Sequence, residues 1–481
     1  MQYDLEKRGK KTLYEYLYEC IRSDILTGRL PAGTRLPSKR SFARDQGIAV
    51  ITVENTYAQL VSEGYLSSRS RSGFYVNDLS EEGNAVALYF GMGAGGSRAE
   101  DIRKGTGSSG SGKAPESPVI DLTSGRIRMD HFPFSIWCKL LRRIMSEGED
   151  RFLQPSPAMG IPELQTALSE YLRNAKGLQT DPSHILIGPG TEYLHSVLLQ
   201  ILGGSAITAV EDPGYKKIGL LYEGSGHKCI HIPVDEKGLQ VNRLFGSNIR
   251  LLHTSPSHHF PTGSVMPVGR RMKLLSWANA EDAYVIEDDY DSEFRFTGKP
   301  IPPLALLDSE RVIYMNTFTK TLTPSIRIAY MVLPETLYKI YKEKLSYYSS
   351  AVSTFEQYTL AAFLGEGYYE RHINRMKNHY RKTRKIILEE LEASPLSGYA
   401  TVEEAGSGLH FVLRITDRAD DRAFVEHLRT EGIRIEPLSA YAYTDRQEYH
   451  HRFLVNYTSL TETELKKALP TMVKALENTI C

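Results

Sequence analysis

The chain has 481 residues, of which 41% are hydrophobic, and its 58 Lys and Arg are balanced by 58 Asp and Glu. This length predicts two to three domains, and a net charge of zero excludes a chain that binds polyanions through its overall charge. The four cysteines lie far apart without a CxxC pair, so we expect no disulfide framework and no metal site. The sequence has no signal peptide and no long apolar run, so we expect a cytoplasmic protein with no membrane partner.

The N-terminal segment, residues 1–76, shows the element order of a winged helix-turn-helix. Apolar residues recur at helical spacing over residues 12–28, and Ser38 stands where the N-cap of a second helix belongs. A recognition helix is predicted over roughly residues 50–63, followed by a short strand pair with a basic tip. The segment holds 12 Lys and Arg against 8 Asp and Glu, a local positive charge that favours DNA.

Three motifs in this segment, LPSKR, TVENTYAQLVSEGYL and RSGFYV, closely resemble the GntR family of bacterial repressors. Side chains near the start of a recognition helix reach base edges, whereas the preceding helix and the wing supply phosphate or groove contacts. Ala49 and Val50 stand where the family usually has Ser-Arg, so we expect an operator that differs from the usual one. The residues expected to face DNA are Ser38, Lys39, Arg40, Thr52, Asn55, Thr56, Arg69 and Arg71.

Residues 77–118 are rich in Gly and Ser and lack periodicity, which predicts a flexible linker. Over residues 119–481, apolar runs typical of strands alternate with helical patterns, which predicts an α/β fold with a mainly parallel sheet. After a long helical stretch near residues 336–394, further strand-like runs indicate a smaller C-terminal α/β subdomain. The predicted organisation is a DNA-binding domain over residues 1–76, a linker, and a large domain over residues 119–481.

Lys320 is distinctive in the large domain because hydroxyl residues surround it and an arginine follows seven positions later. A lysine that forms a Schiff base needs a dry, cation-rich pocket that lowers its pKa. A phosphate beside that lysine needs hydroxyl donors, here Thr317 and Thr319, and a fixed guanidinium, here Arg327. The segment TFTK with this arginine closely resembles the pyridoxal-phosphate lysine segment of fold-type I aminotransferases.

Other stretches match the remaining cofactor contacts of that fold. The segment ILIGPGTE indicates a strand, a Gly-rich turn and a helix start, which together form a phosphate cradle at Gly190, Thr191 and Glu192. A carboxylate at the ring nitrogen keeps that nitrogen protonated and electron-withdrawing. The resemblance implies three further contacts: Asp288 at the pyridinium nitrogen, Tyr290 at the phenolic oxygen, and Tyr215 stacked on the ring.

A GntR-type winged helix joined to an aminotransferase-like domain resembles the MocR/GabR subfamily of transcriptional regulators. The segments SHHFPTG, DDYDSEFR and GSGLH add to this resemblance. It implies a head-to-tail homodimer that binds operator DNA and is associated with the bacterial nucleoid when bound. It also implies that the large domain senses an amino acid, another amine or pyridoxal phosphate itself through Schiff-base chemistry at Lys320.

Two functions remain open for the large domain, a sensor and a working aminotransferase fused to a DNA-binding module. Aminotransferases usually have an asparagine before PTG and an arginine near the C-terminus that binds the substrate carboxylate. This chain has Phe260 and Leu454 at those positions, so we predict a sensor rather than an enzyme. Lys217 and Arg452 are the candidates for binding the carboxylate of an effector.

Overall fold

The structure, a computed structural model, describes residues 3–9, 12–62, 65–69, 73–77, 120–123, 125, 128, 131–147, 150–296, 302–403, 406, 408–416, 418–444 and 446–479. The chain divides into two compact units, Met1–Gly112 and Lys113–Cys481. The predicted linker lies outside the described residues except for Asn77. None of the described helices combines the length and the apolar composition that crossing a membrane requires.

The described part of the N-terminal unit consists of three helices and a hairpin: α1 (Leu13–Leu26), α2 (Lys39–Gln46), α3 (Val50–Ser62), β1 (Leu66–Arg69) and β2 (Gly73–Val76). The hairpin strands are antiparallel. Ser38 caps α2 as the sequence predicts, because its side chain accepts a hydrogen bond from the Ser41 amide. Gly47 ends α2 with φ of 66°, in the left-handed region of backbone conformation. A residue with a side chain adopts this conformation only at a cost in free energy.

One apolar core holds these elements together. Leu17 and Ile21 of α1, Phe42 of α2 and Tyr57 of α3 are fully buried. The Tyr57 ring stacks on Phe42 with centroids 6.1 Å apart and meets Phe74 of the hairpin edge-on at 5.0 Å. Full burial of each such side chain contributes roughly 1.5–3 kcal/mol, so this core fixes which face of α3 points outward.

In the second unit, strands alternate with helices, as the apolar runs predict. The helices are α4 (Phe134–Glu147), α5 (Pro162–Lys176), α6 (Thr191–Leu202), α7 (Lys216–Gly224), α8 (Val268–Ala280), α9 (Leu304–Leu307), α10 (Glu335–Leu345), α11 (Thr354–Gly365), α12 (Tyr368–Ala393), α13 (Asp421–Thr430) and α14 (Glu462–Thr479). The strands are β3 (Ile120–Asp121), β4 (Ile185–Gly188), β5 (Ile207–Asp212), β6 (Cys229–Asp235), β7 (Gly238–Leu239), β8 (Ile249–Thr254), β9 (Tyr284–Asp288), β10 (Val312–Thr317), β11 (Ala329–Val332), β12 (Ala400–Glu403), β13 (His410–Ile415), β14 (Ile433–Arg434), β15 (Glu436–Pro437) and β16 (Arg452–Asn456).

The large sheet has the strand order β4-β11-β10-β9-β8-β5-β6-β7. The strands from β10 through β9, β8 and β5 to β6 are parallel, whereas β11 and β7 run antiparallel to their neighbours. Strands β4 and β10 are buried along their whole length, because helices cover both faces of a parallel sheet. The mainly parallel α/β fold predicted from the sequence is confirmed.

A smaller antiparallel sheet, β12-β13-β16-β15, forms the C-terminal part of this unit. One of the strand-like runs that follow the long helical stretch, IRIEPL at residues 433–438, contains two strands: β14 pairs with β3, and β15 pairs with β16. The chain changes sheet between Arg434 and Glu436, which a count of apolar residues cannot show. The predicted long helical stretch is likewise divided, into α10, α11 and α12.

Candidate functional site

The residues predicted to bind the cofactor follow strands that end at one edge of the large sheet. Strand β4 points the same way as β10, because β11 runs antiparallel to both. Asp288 ends β9, while Gly190, Tyr215 and Lys320 follow the ends of β4, β5 and β10 by two or three residues. Open α/β sheets bind ligands outside the carboxyl ends of their strands, so this topology brings distant parts of the sequence together.

A cavity of about 320 Å³ lies at this edge, here called the cofactor cavity. Every residue predicted to bind the cofactor lines it: Gly190, Thr191, Glu192, Tyr215, Asp288, Tyr290, Thr317, Thr319, Lys320 and Arg327. Its remaining lining residues are Thr123, Ser255, Phe260 and Asn456.

Lys320 lies in the turn after β10 and is half-buried in the wall of the cofactor cavity. Burial lowers the pKa of its amine, and the negative charge of Asp291 opposes this shift only in part. The hydroxyls of Thr317 and Thr319 are 2.8 Å apart. Gly125 passes so close to the Lys320 amine that a Cβ at this position would collide with it. The site thus presents a desolvated amine beside hydroxyl groups.

Two neighbouring histidines lie beside Asp288, first His253 and then His195. Asp288 Oδ2 lies 3.3 Å from Nε2 of His253, and the His253 ring lies 5.2 Å from the ring of His195. Nδ1 of His195 is in turn 2.8 Å from the Tyr222 hydroxyl. The second oxygen of Asp288, Oδ1, is buried and has no hydrogen-bond partner among the described residues. A buried carboxylate oxygen of this kind requires a hydrogen-bond donor.

Tyr290 stands two residues beyond Asp288, and its hydroxyl donates to the His258 carbonyl at 3.1 Å. Burial raises the pKa of Tyr290 well above its ordinary value, and the negative charges of Asp291 and Asp288 raise it further. The phenol therefore stays protonated at neutral pH and keeps its hydrogen bond to the His258 carbonyl.

Gly190 and Arg327 form the opposite end of the cavity. A Cβ on Gly190, which has φ of 112° before α6, would collide with the guanidinium of Arg327. Arg327 has φ of 50°, an uncommon conformation for a residue with a side chain, and donates to Glu192 at 3.0 Å. Burial alone would raise the pKa of Glu192, but hydrogen bonds from Lys217 and Arg327 lower it to about 2. Lys217 is thus held by Glu192 at the rim rather than in the lining.

Aromatic rings form a side wall. Tyr215, about half exposed, meets Phe260 edge-on with centroids 6.2 Å apart. Phe260 also packs edge-on against Tyr441 at 5.1 Å and His410 at 5.6 Å. Phe260 therefore presents a hydrocarbon surface where an asparagine would present an amide.

Arg452 does not reach the cofactor cavity, so the prediction that it binds an effector carboxylate there is wrong. Arg452, Leu454 and Asn456 share one face of β16, but only Asn456 lines the cavity. At about 3.3 Å per residue, Arg452 lies roughly 13 Å farther along the strand. Its guanidinium instead pairs with Glu403 at 3.1 Å and lines a separate cavity of about 840 Å³.

Asn456 is a lining residue that the sequence did not single out. Its Oδ1 accepts hydrogen bonds from the amide and hydroxyl of Thr458, which fixes its orientation. Its side-chain amide nitrogen lies on the side of Gly125 and Lys320. Pairing of β16 with β13 brings it there, and nothing in the residues around Asn456 indicates that pairing.

In the N-terminal unit, one of the predicted DNA contacts is contradicted. Thr56 is fully buried, and its hydroxyl donates to the Thr52 carbonyl at 2.9 Å, so it cannot reach a base. Its position three residues after Val53 places it on the core face of α3. Thr52 is partly exposed and Asn55 is exposed on the same helix.

The other predicted DNA contacts lie on the outside of the N-terminal unit or cannot be placed. Ser38 and Arg40 are exposed at the start of α2. Lys39 is partly engaged, with its amine 2.6 Å from Glu54 and 5.6 Å from the Phe74 ring centroid. Arg69 ends β1, and Arg71 lies outside the described residues.

The cofactor cavity fits pyridoxal phosphate on three observations. The unpartnered oxygen of Asp288 suits the pyridinium N–H, and the bare backbone at Gly190 with Arg327 leaves room and charge for the phosphate. The desolvated amine of Lys320 suits covalent attachment. In bound form the cofactor would supply an electrophilic carbon for primary amines.

The rate at which the protein captures added pyridoxal phosphate should depend on pH through Lys320. Only the neutral amine is nucleophilic, and burial lowers the pKa of Lys320 below its ordinary value of 10.5. We therefore expect the capture rate to rise with pH and to level off at a lower pH than the rate for free Nα-acetyl-lysine amide. Absorbance spectroscopy on the protein freed of cofactor measures both rates, and coincident pH profiles would contradict the prediction.

Comparison with known proteins agrees with this geometry. A family model described as aminotransferase class I and II matches residues 117–471, and one described as bacterial regulatory proteins of the gntR family matches residues 13–76. The chain is 34% identical to the HTH-type transcriptional regulator YdeL of Bacillus subtilis, with 89% of each protein covered. It is 33% identical to MocR of Rhizobium meliloti, a probable rhizopine catabolism regulatory protein, with 93% of this chain and 89% of MocR covered.

Among solved structures, an archaeal alanine:glyoxylate aminotransferase has a TM-score of 0.66 and 25% identity to this chain, with 75% of this chain and 91% of the aminotransferase covered. The relatives that match along nearly the whole chain are regulators, whereas this enzyme matches the aminotransferase-like part alone. The cofactor of that part is pyridoxal phosphate, as the sequence predicts. The chain therefore belongs to the MocR/GabR subfamily of GntR-type transcriptional regulators, which join a helix-turn-helix domain to an aminotransferase-like domain.

Proposed function

We propose that this regulator senses a primary amine or amino acid by exchange at Lys320 and does not convert it to an oxo acid. The lowered pKa of Lys320 increases the uncharged fraction of its amine relative to an ordinary lysine, which favours its return to the cofactor when the effector leaves. Tyr290 and Asp288 hold the ring, and Arg327 with the Gly190 turn holds the phosphate. Binding of the effector then controls how tightly residues 1–76 bind operator DNA.

The observation that carries this proposal is the charge of the cofactor cavity. Among the described lining residues the cations are Lys320 and Arg327, and both have roles toward the cofactor. Leu454, at the position where aminotransferases usually have an arginine, is a buried apolar side chain, and Arg452 is held by Glu403. Without a bidentate carboxylate clamp, a substrate is not fixed in the near-attack geometry that rapid turnover needs.

Lys217 is the remaining candidate for an effector carboxylate. Its amine pairs with Glu192 at the rim, beside the residues that line the cavity. An effector carboxylate would compete with Glu192 for this amine, and Arg327 would still neutralise Glu192. A lysine is a point charge without the fork of an arginine, so we propose modest discrimination between amines with and without a carboxylate.

Control of DNA binding requires a difference in effector affinity between two arrangements of the protein. Shifting the ratio of these two arrangements from 1:99 to 99:1 requires the effector to bind one of them about 5.5 kcal/mol more tightly than the other. We propose that the regulator works as a head-to-tail homodimer on the bacterial nucleoid, because two winged helices at a fixed spacing read two half-sites.

Parallel measurements on one preparation of the full chain test the proposal. Candidate amino acids are added to the protein loaded with pyridoxal phosphate, and cofactor absorbance, operator affinity and oxo-acid formation with an acceptor are recorded. We expect an effector to change the absorbance and the operator affinity without steady formation of oxo acid. Rapid formation of oxo acid with unchanged operator affinity would establish the enzyme instead.

Lys217→Ala provides a matched comparison in the same assay. The variant should lose part of its response to an amino acid and keep its response to the corresponding amine that lacks the carboxylate. Equal losses for both ligands would show that Lys217 acts on the cofactor site in general and not on the carboxylate.

A further inference from the structure

Three buried side chains lie behind Tyr290 with their ligand atoms within 4.8 Å of one another: His258, Asp291 and His410. Their exposed fractions are 3%, 2% and 5%. His258 follows β8, Asp291 follows β9, and His410 is the first residue of β13, so both sheets of the second unit contribute. The sequence predicted no metal site, because these residues are widely separated along the chain.

Both imidazoles are fixed through one ring nitrogen and have the other unpartnered. Nδ1 of His258 lies 2.9 Å from Oδ2 of Asp291, and the Pro261 carbonyl forms a hydrogen bond with the His410 ring. Nε2 of each ring is buried and has no hydrogen-bond partner among the described residues. His410 has the usual orientation of a metal-binding histidine, with one nitrogen on a carbonyl and the other free for the ion. At His258 the ion would instead take the place of the proton that Nδ1 shares with Asp291, because one carboxylate cannot contact Nδ1 and also share an ion with Nε2 of the same ring.

The carboxylate of the cluster also has room for a cation. The Asp291 carboxylate makes no hydrogen bond other than those with His258 among the described residues, which leaves it acceptor capacity.

A path leads to the cluster from outside. His258, Asp291 and Gly408 line a cavity of about 480 Å³ that is distinct from the cofactor cavity. Gly408 lies so close to His258 that a Cβ there would collide with the imidazole, and its φ of 78° favours glycine. The segment GSGLH therefore packs a bare backbone against His258 and presents His410 two residues later.

The structure assigns a divalent-cation site to His258, Asp291 and His410, with Zn²⁺ as the expected ion. Two imidazoles and one carboxylate are donors that Zn²⁺ prefers, and three protein ligands leave a fourth position for water or a small anion. Two of the three ligands line the 480 Å³ cavity, so the open position is accessible to such a molecule. A plain hydrogen bond between His258 and Asp291, with a buried water on Nε2 of His410, is the competing explanation of the same geometry.

The site borders the cofactor through Tyr290. The Tyr290 hydroxyl lies 3.2 Å from Nδ1 of His258, so a cation on His258 changes the surroundings of the group that reaches the phenolic oxygen. This consequence rests on the proposed role of Tyr290, whereas the cation site itself does not.

Co²⁺ titration of the full chain, after treatment with a chelator, tests the assignment. We expect stoichiometric binding with the visible absorption of low-symmetry Co²⁺ and competition by Zn²⁺. His410→Ala, His258→Ala and Asp291→Asn each remove a ligand and should lose this absorption. His227→Ala is the matched control, because His227 is a buried histidine outside the cluster whose Nδ1 contacts the Ala206 carbonyl.

Wild-type protein that binds no Co²⁺ or Zn²⁺ beyond the level of non-specific surface sites would overturn the assignment and indicate a buried water. Binding that is equal in His410→Ala and in the wild type would overturn it as well. Circular dichroism establishes that each variant is folded, and the wild-type titration decides the question even where a variant is not. Loss of the Co²⁺ signal with retained covalent cofactor would support the site independently of the proposed sensing function.

Discussion

Lys320→Ala is expected to abolish the covalent adduct that borohydride traps between the protein and pyridoxal phosphate. Lys320 is the one lysine among the described residues that line the cofactor cavity, and its amine is desolvated there. The loss should therefore be complete rather than partial. Mass spectrometry of the reduced protein measures the adduct, and peptide mapping locates it.

Lys217→Ala is the matched control for this experiment. Lys217 carries the same functional group at the rim of the site, but it pairs with Glu192 and is not a lining residue. This variant should keep the full adduct. Undiminished adduct in Lys320→Ala would show that another lysine holds the cofactor and would also remove the basis of the proposed exchange reaction.

Non-covalent affinity should survive in part when Lys320 is replaced. Arg327 and the turn at Gly190 are unchanged by the substitution, and charge-assisted hydrogen bonds to a phosphate contribute about 1.5–3 kcal/mol each. Equilibrium dialysis of Lys320→Ala should therefore detect bound pyridoxal phosphate that denaturation releases. This result would separate the phosphate contacts from the covalent one.

Much of this site could be predicted from the sequence, because its parts follow strand ends. A parallel sheet collects the residues after its strands at one edge, so local motifs at Gly190, Asp288 and Lys320 were sufficient to bring them together. Each motif also contains residues whose chemistry suits the cofactor, such as the arginine that follows Lys320 by seven residues. The phosphate site at Gly190 could therefore be predicted without knowing which distant residues are in contact.

The parts of the site that could not be predicted depend on pairing between distant segments. Asn456 enters the cofactor cavity because β16 pairs with β13, and His410 meets His258 across the two sheets. Strand register fixes such contacts, and register leaves no mark in the residues themselves. Arg452 shows the same limit, since it shares a face of β16 with Asn456 but lies too far along the strand to line the cofactor cavity.

Thr56 illustrates a different limit. The prediction rested on its position near the start of the recognition helix, but the 3.6-residue period places it beside Val53 and Tyr57 on the inner face of α3. A threonine can satisfy its hydroxyl on a backbone carbonyl of the preceding turn, as Thr56 does with Thr52. Position along the helix alone therefore misjudged its burial.

Arg40→Ala is expected to weaken operator binding by about 1–3 kcal/mol if Arg40 reads a base edge. Arg40 is exposed at the start of α2, next to the N-cap Ser38, and has no ion-pair partner within the described N-terminal residues. Its guanidinium is therefore available for bidentate contact with a guanine, the commonest specific contact in the major groove. Fluorescence anisotropy with the natural operator and a mutated one would measure both affinity and specificity.

Arg44→Ala is the matched control, because it removes the same charge from the other end of α2, where Arg44 is exposed beside Asp45. Its effect should be smaller and equal for both DNA sequences.

If Arg40 binds only phosphate, its replacement should weaken binding to both sequences equally. It should also reduce the salt dependence of binding by about one counterion. Thr56→Val should leave operator affinity unchanged, because Thr56 is buried away from any DNA surface. Operator affinity that is unaffected by Arg40→Ala would move base recognition to Thr52 and Asn55 on α3.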